Sequence, residues 1–246
     1  MIRLATADRP GLVCLQELPV WALDRIGSWS DMLSVGAVAE RPALGPLPSI
    51  PEVGRRLTEL HHGLFRSLFT GQANAVLVAR ELHILDREQL VLNPLRFRRR
   101  ETRRLGLGLV ARLAWGSERR LCQAVRVRRE GGCTLLVGNL HATSYPPDRR
   151  LASAELLRAA TFLDGLARKN EPVLFCGDFN VGVHSSPILL ELTKPEWGFS
   201  SPGAGIDHVL VRGLPIEKPV RPWPEERRRL DGVLLSDHAP VEVTVA

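Results

Sequence analysis

Short apolar runs separated by polar and turn-forming residues dominate the chain, and they read as strands more often than helices. Gly11–Leu18, GLVCLQEL, follows the turn signal Arg9-Pro10-Gly11 and predicts a short buried strand. Residues 41–54, RPALGPLPSIPEVG, predict a loop, and Val53, Leu57, Leu60 and Leu64 then recur at helical spacing. NAVLVAR (74–80) predicts a strand, and LHILDREQLVLN (82–93) a strand and turn. The arginine-rich residues 96–104 read as a loop leading into LGLGLVARLAW; the alternating LCQAVRVR and the apolar CTLLVGNLHA are strands. The clearest helix runs from Leu151 to about Arg168, with Asp148 as its N-cap and Leu151, Leu156, Ala159, Leu163 and Leu166 on its apolar face. PVLFCGD, IDHVLVR and VEVTV complete the strands, with a short helix near SPILLEL and a loop holding Pro219, Pro222 and Pro224. One long helix among many strands joined by loops predicts a layered α/β sandwich rather than a doubly wound parallel sheet. No repeat or low-complexity boundary divides residues 1–246, so one domain is expected.

Composition narrows the class without naming a chemistry. A chain of 246 residues with 44% hydrophobic and 24% charged residues suits a globular domain. Its apolar runs are far shorter than the roughly 20 residues of a membrane span, and the N-terminus lacks a secretory layout, so a cytoplasmic protein is expected. Cys14, Cys122, Cys133 and Cys176 are scattered without metal-type spacing, which predicts reduced thiols. The net charge of +6 rests almost wholly on arginine, with lysine only at 169, 194 and 218. RFRRRETRR (96–104) and ERRR (226–229) are its densest clusters, solvated surface or a face for phosphate-bearing partners.

The polar residues at strand ends form a set. Glu17 closes VCLQE, His141 closes LVGNLH, Asp178 and Asn180 close VLFCGDFN, Asp207 opens IDHVLV, and Asp237-His238 precede the last strand. Side chains two apart on a strand share a face, which predicts that Asp178 and Asn180 point into one site. Clustered carboxylates with few lysines nearby suit a hard, oxygen-liganded cation such as Mg²⁺ or Mn²⁺. No CxxC or HExxH spacing points to zinc.

CLQE, NLHAT, GDFN, GIDHVLV and SDHAPV, in that order, resemble the motifs of the endonuclease/exonuclease/phosphatase superfamily, the fold of DNase I, the abasic-site endonucleases and the sphingomyelinases. The resemblance runs from about Pro10 to Val245. It implies a four-layer α-β-β-α sandwich with two packed mixed β-sheets and a divalent-metal phosphodiesterase site. By matched position, Glu17 and Asp237 resemble the metal-binding acids, Asp178 the aspartate that orients the attacking water, and Asn180 its phosphate-contacting partner. His238 resembles the histidine on the scissile phosphate, with Asp207 as its orienting carboxylate, and His141 a phosphate-facing histidine near the leaving group. Glu101 is matched to a partner of His141, and Asn139, Arg103 and Arg104 are assigned to substrate binding. The implied substrate is a phosphodiester, nucleic acid being favoured by the arginine segment and His141. Phospholipid or inositol phosphate hydrolysis, or a non-catalytic phosphate-binding module, are the alternatives, and a monomer is favoured.

The resemblance also predicts what precedes CLQE: a strand ending in Asn, then a helix. MIRLATADRPG resembles the tail of that helix, so the expectation is a domain without the family's first strand, weakly stable and weakly active as written.

Overall fold

The computed structural model describes residues 1–40, 71–129 and 131–246. The helix expected around Val53–Leu64, the loop over 41–54, and His61 and His62 lie outside the described residues.

Strands β1 (Leu12–Leu18), β2 (Leu33–Glu40) and β3 (Gln72–Val78) form an antiparallel sheet in the order β1-β3-β2. The second sheet runs β4 (His83–Val91), β5 (Leu121–Arg128), β6 (Thr134–His141), β7 (Val173–Asp178), β8 (Asp207–Arg212). Its β6–β7 pair is parallel and its other pairs antiparallel, so the sheet is mixed. The parallel pair is possible because α5 (Arg150–Leu166) provides the crossover between its strands. Strand β9 (Ile216–Pro222) pairs with β12 (Val241–Val245), and β10 (Arg229–Leu230) with β11 (Val233–Leu234) in a small hairpin. The remaining helices are α1 (Ile2–Ala5), α2 (Leu23–Ser30), α3 (Leu95–Leu105), α4 (Leu109–Ser117) and α6 (Pro187–Glu191).

Burial divides these elements into four layers. Val35, Val76 and Val78 meet Val125, Val137, Cys176 and Val209 between the two sheets. On the outer side of the five-stranded sheet, Leu136, Leu140 and Phe175 pack on Leu156, Ala159 and Leu163 of α5. On the outer side of the three-stranded sheet, Ala75 and Leu77 pack on Ile26 of α2. The result is the expected α-β-β-α sandwich. Helix α5 sits so close to β6 that a Cβ at Gly138 would lie 2.3 Å from Leu163 Cδ1, which makes glycine a packing requirement there.

Three local expectations are corrected. Residues 96–104 are not a loop but most of α3, whose Phe97 and Glu101 face inward while Arg96, Arg99 and Arg103 face water. The proline-bearing stretch after 215 forms edge strand β9, where a residue without an N–H is tolerated. Strand β5 forms over the alternating LCQAVRVR as expected, and all but its last residue are buried. Its polar members find partners instead: Gln123 Nε2 donates to Val35 O across the sheets, and Arg126 is held by Glu171 and Asp86. Asp148 stands one residue before the N-cap Arg149, yet its Oδ1 accepts from Arg150 N, 3.1 Å away. All four cysteines are free thiols, and the Cys14 and Cys176 thiols bond across the two sheets.

Candidate functional site

Strand register builds the site. His141 ends β6, Asp178 ends β7 and Asp207 begins β8; His141 pairs with Asp178 and Asp178 with Asp207. Three adjacent strands therefore set three ionisable side chains on one rung at the sheet's end. Gly177 allows this turn-out: at φ 136° it adopts backbone closed to other residues, and a Cβ there would lie 1.9 Å from Leu140 O.

The other sheet and the C-terminal segment complete the row. Glu17 has φ 55° and lies in a register irregularity of β1 between Leu15 and Leu18, a bulge that re-aims its side chain. Its Oε1 is 3.6 Å from His141 Nε2, which is 3.8 Å from Asp178 Oδ2. His238, from the segment before β12, lies with Nδ1 2.9 Å from Asp207 Oδ2. Asp178, Asp207 and His238 bring ligand atoms within 4.8 Å of one another, a group able to hold a metal ion. Two carboxylates in that group fit a hard divalent cation, with the imidazole acceptable to Mn²⁺. Glu17 and Asp237, matched above to the metal, are not members of this group. Glu17 approaches the same His141 Nε2 as Asp178 does, and Asp237 is exposed, its Oδ1 accepting from His238 N.

Electrostatics sort these groups. Burial, reinforced by Asp207, pushes the Asp178 carboxyl up to about 6. Burial also raises Asp207, against the pull of His238. Burial disfavours charge on His238, but Asp207, Asp178 and Asp237 outweigh it and hold the imidazole above its ordinary value. His141 is the opposite case: burial first, then Arg120 and His238, keep it well below its ordinary value and neutral. One imidazole is thus poised as a cation and the other as a neutral donor or acceptor.

Asn180 reaches the site by a route other than a shared strand face. It has φ 52°, past the end of β7, and its N–H donates to Asp178 Oδ1 at 2.9 Å, closing an Asx turn. Its Nδ2 donates to Ala142 O, which fastens the Asp178 turn to the segment after His141. Glu155 of α5 braces that segment too: fully buried, it accepts from Thr143 N and Oγ1 and from Trp115 Nε1.

Three sequence expectations fail on position. Asn139 is fully buried between the sheets, where Nδ2 donates to Leu15 O and Ala75 O and Oδ1 accepts from Gln16 Nε2. It ties the two sheets together. Glu101 does not reach His141; it accepts from Arg100 Nε and Arg104 Nε on α3, and those arginines hold its carboxyl down against burial. Arg104 is thus engaged by Glu101, and it lines an outer groove between α3 and α5 with Phe97 and Arg158. Arg103 is exposed on the same helix, and neither residue is joined to the site by a contact. His208, next to Asp207, is fully buried with Nε2 2.9 Å from Val181 O.

The residue that sequence reading missed is Arg120. Buried at the start of β5, it places Nη1 2.9 Å from His141 Nδ1 and 2.7 Å from Nε2, with Nη2 on Glu118. Among the described residues its Nε is buried without a partner, donor capacity of the kind an anion uses. The only signal was an arginine beside a strand, and cross-strand register was needed to find it: Leu121 pairs with His141. Replacing Arg120 with Met is expected to raise the His141 pKa, since a cation facing the ring is lost while Glu17 and Asp178 stay. Titration of the His141 ring by NMR reads this; an unmoved titration would show that burial alone sets it.

A family model described as the Endonuclease/Exonuclease/phosphatase family matches residues 2–238. No curated protein matches the chain. Among solved structures, an endonuclease/exonuclease/phosphatase from Bacteroides vulgatus is similar with TM-score 0.67 and 14% identity, covering 100% of this chain and 88% of that one. TDP2 from Caenorhabditis elegans is similar with TM-score 0.59 and 16% identity, over 99% and 66% of the two chains. The human nocturnin catalytic domain, solved with a bound sulfate anion, gives TM-score 0.54 and 15% identity over 97% and 83%. These likenesses concern the fold.

Proposed function

We propose that this chain, which belongs to the endonuclease/exonuclease/phosphatase family, is a divalent-metal-dependent phosphodiesterase acting on nucleic acid. The observation that carries the reading is the single row Glu17–His141–Asp178–Asp207–His238 assembled from both sheets and the C-terminal segment. A bound Mg²⁺ or Mn²⁺, held by Asp178 and Asp207 with Glu17 and Asp237 nearby, would neutralise charge on the phosphoryl oxygens. Asp178, ionised above about pH 6, accepts a hydrogen bond from water and orients it for in-line attack. His238, held protonated by Asp207, grips a phosphoryl oxygen. Neutral His141 stands across Asp178 with Arg120 behind it. In this reading the buried pair would add donors next to Asp178 for a second phosphate, which suits a polymer. The arginines of 96–104 lie on the outer helix α3 and are not part of this row.

The test is hydrolysis of bis-p-nitrophenyl phosphate with Mg²⁺ or Mn²⁺, then of DNA, RNA, sphingomyelin and inositol phosphates. Turnover abolished by EDTA and by His238→Ala, with the fold retained, supports the reading. An inactive metal-loaded protein that still binds phosphate points to a binding module.

The same reading treats residues 1–246 as one domain: strand β1 packs on β6 and β7, and β12 on β8.

A further inference from the structure

Away from the site, helices α3 and α4 carry a surface that hydrolysis does not use. Helix α4 turns Ala111 and Trp115 inward against Phe97, Leu107, Leu151 and Ala154. Its opposite arc carries Leu109, Val110 and Leu113, exposed to 67%, 69% and 66%, the highest values for large hydrophobic residues among those described. Positions 109 and 113 are one turn apart and 110 lies beside them, so the three form one stripe. A surface helix ordinarily shows polar side chains on this arc. One exposed leucine means nothing, but a stripe of three does.

The charge beside the stripe indicates what meets it. Arg96, Arg99 and Arg103 on α3 and Arg112 on α4 are exposed, and among the described residues none of them is ion-paired. Arg100 and Arg104, by contrast, are taken by Glu101. The β10–β11 hairpin also exposes Leu230 and Val233, but two of the arginines before it are engaged by acids, Arg227 by Asp8 and Glu242 and Arg229 by Glu225. Uncompensated positive charge flanks the apolar stripe: Arg112 lies between its residues on α4, and the other three arginines are on α3, which packs on α4 through Phe97 and Trp115.

We infer that the α3–α4 face docks on an anionic lipid bilayer, the stripe entering the headgroup region while the four arginines meet lipid phosphates. A second copy of the chain is a poor occupant, since a two-fold contact would set arginines against arginines. Nucleic acid would use the arginines and leave the stripe in water. Because α4 ends three residues before Arg120, docking sets the edge of the active-site row beside the membrane. The inference is independent of which ester is hydrolysed.

Sedimentation of the whole chain with phosphatidylcholine vesicles, and with vesicles that also contain phosphatidylglycerol, tests it. Binding is expected only to the anionic vesicles and should weaken as salt rises. The combined change Leu109→Ser, Val110→Ser, Leu113→Ser should lower partitioning at least ~10-fold, as should Arg96→Glu, Arg99→Glu, Arg112→Glu. Melting curves check that both remain folded. Equal binding to neutral and anionic vesicles, or none to either, overturns the inference. So does a serine variant that binds like the parent; if the glutamate variant alone then loses duplex DNA, the face serves nucleic acid instead.

Discussion

Asp178→Asn is expected to lower metal-dependent turnover by about 10³-fold while leaving the protein at least as stable as before. Activity falls because an amide neither accepts a proton from water nor offers a charged ligand. The fold survives because an asparagine oxygen can still accept from Asn180 N, the bond that closes the Asx turn. Stability without metal has a definite sign. A carboxyl raised to about 6 contributes most below its unfolded pKa near 4 and loses that contribution as pH rises through 6. At pH 8 the metal-free parent therefore carries a buried charge that the variant lacks, and the variant should be more stable by about 1–3 kcal/mol. Mg²⁺ or Mn²⁺ should restore the parent and do little for the variant. The same sign applies to metal affinity: protons compete with the cation, so binding weakens as pH falls through about 6. Thermal scans at pH 5 and pH 8, with and without metal, read all of this. A variant with near-parental turnover would remove Asp178 from the chemistry.

Arg126→Met is expected to cost about 3–5 kcal/mol of stability, which in a chain of this size lowers Tm by roughly 6–20 °C. Arg126 is buried in β5; its Nε and Nη2 donate to Glu171, Nη1 to Asp86, and Nη2 also to Leu166 O at the end of α5. Glu171 in turn accepts from Arg168 N. One guanidinium thus joins two strands to the turn after the longest helix, and removing it strands a buried carboxylate. The informative control is the double change Arg126→Met, Glu171→Leu, which removes both charges and should recover much of the loss. If the single variant melts like the parent, the network is worth little.

The sequence showed the ionisable members of the site but not how they meet. Glu17, Asp178, Asp207 and His238 were legible because each ends or begins an apolar run, and an acid there seldom serves packing. Arg120 was not, because its meaning depends on Leu121 lying opposite His141. Asn139 was misread for a related reason: it shares the face of His141 on β6, but lies deeper between the sheets, where Leu15 O and Ala75 O take its amide. Residues 96–104 looked like a loop because charge hid the helical phase that Phe97 and Glu101 set.

The sequence by itself determined most of the strands, though not β2, β9 or the β10–β11 hairpin, that they form a layered α/β sandwich, and that several strand ends carry acids and histidines in a recognisable order. Those features are local, fixed by period, by turn residues and by the cost of burying charge. Tertiary structure alone decided which of those residues touch. Register put His141, Asp178 and Asp207 on one rung, a bulge turned Glu17 toward them, and the C-terminal segment brought His238 to Asp207. It also set the charge states, because burial that raises Asp178 and neutralises His141 comes from neighbours distant in the chain.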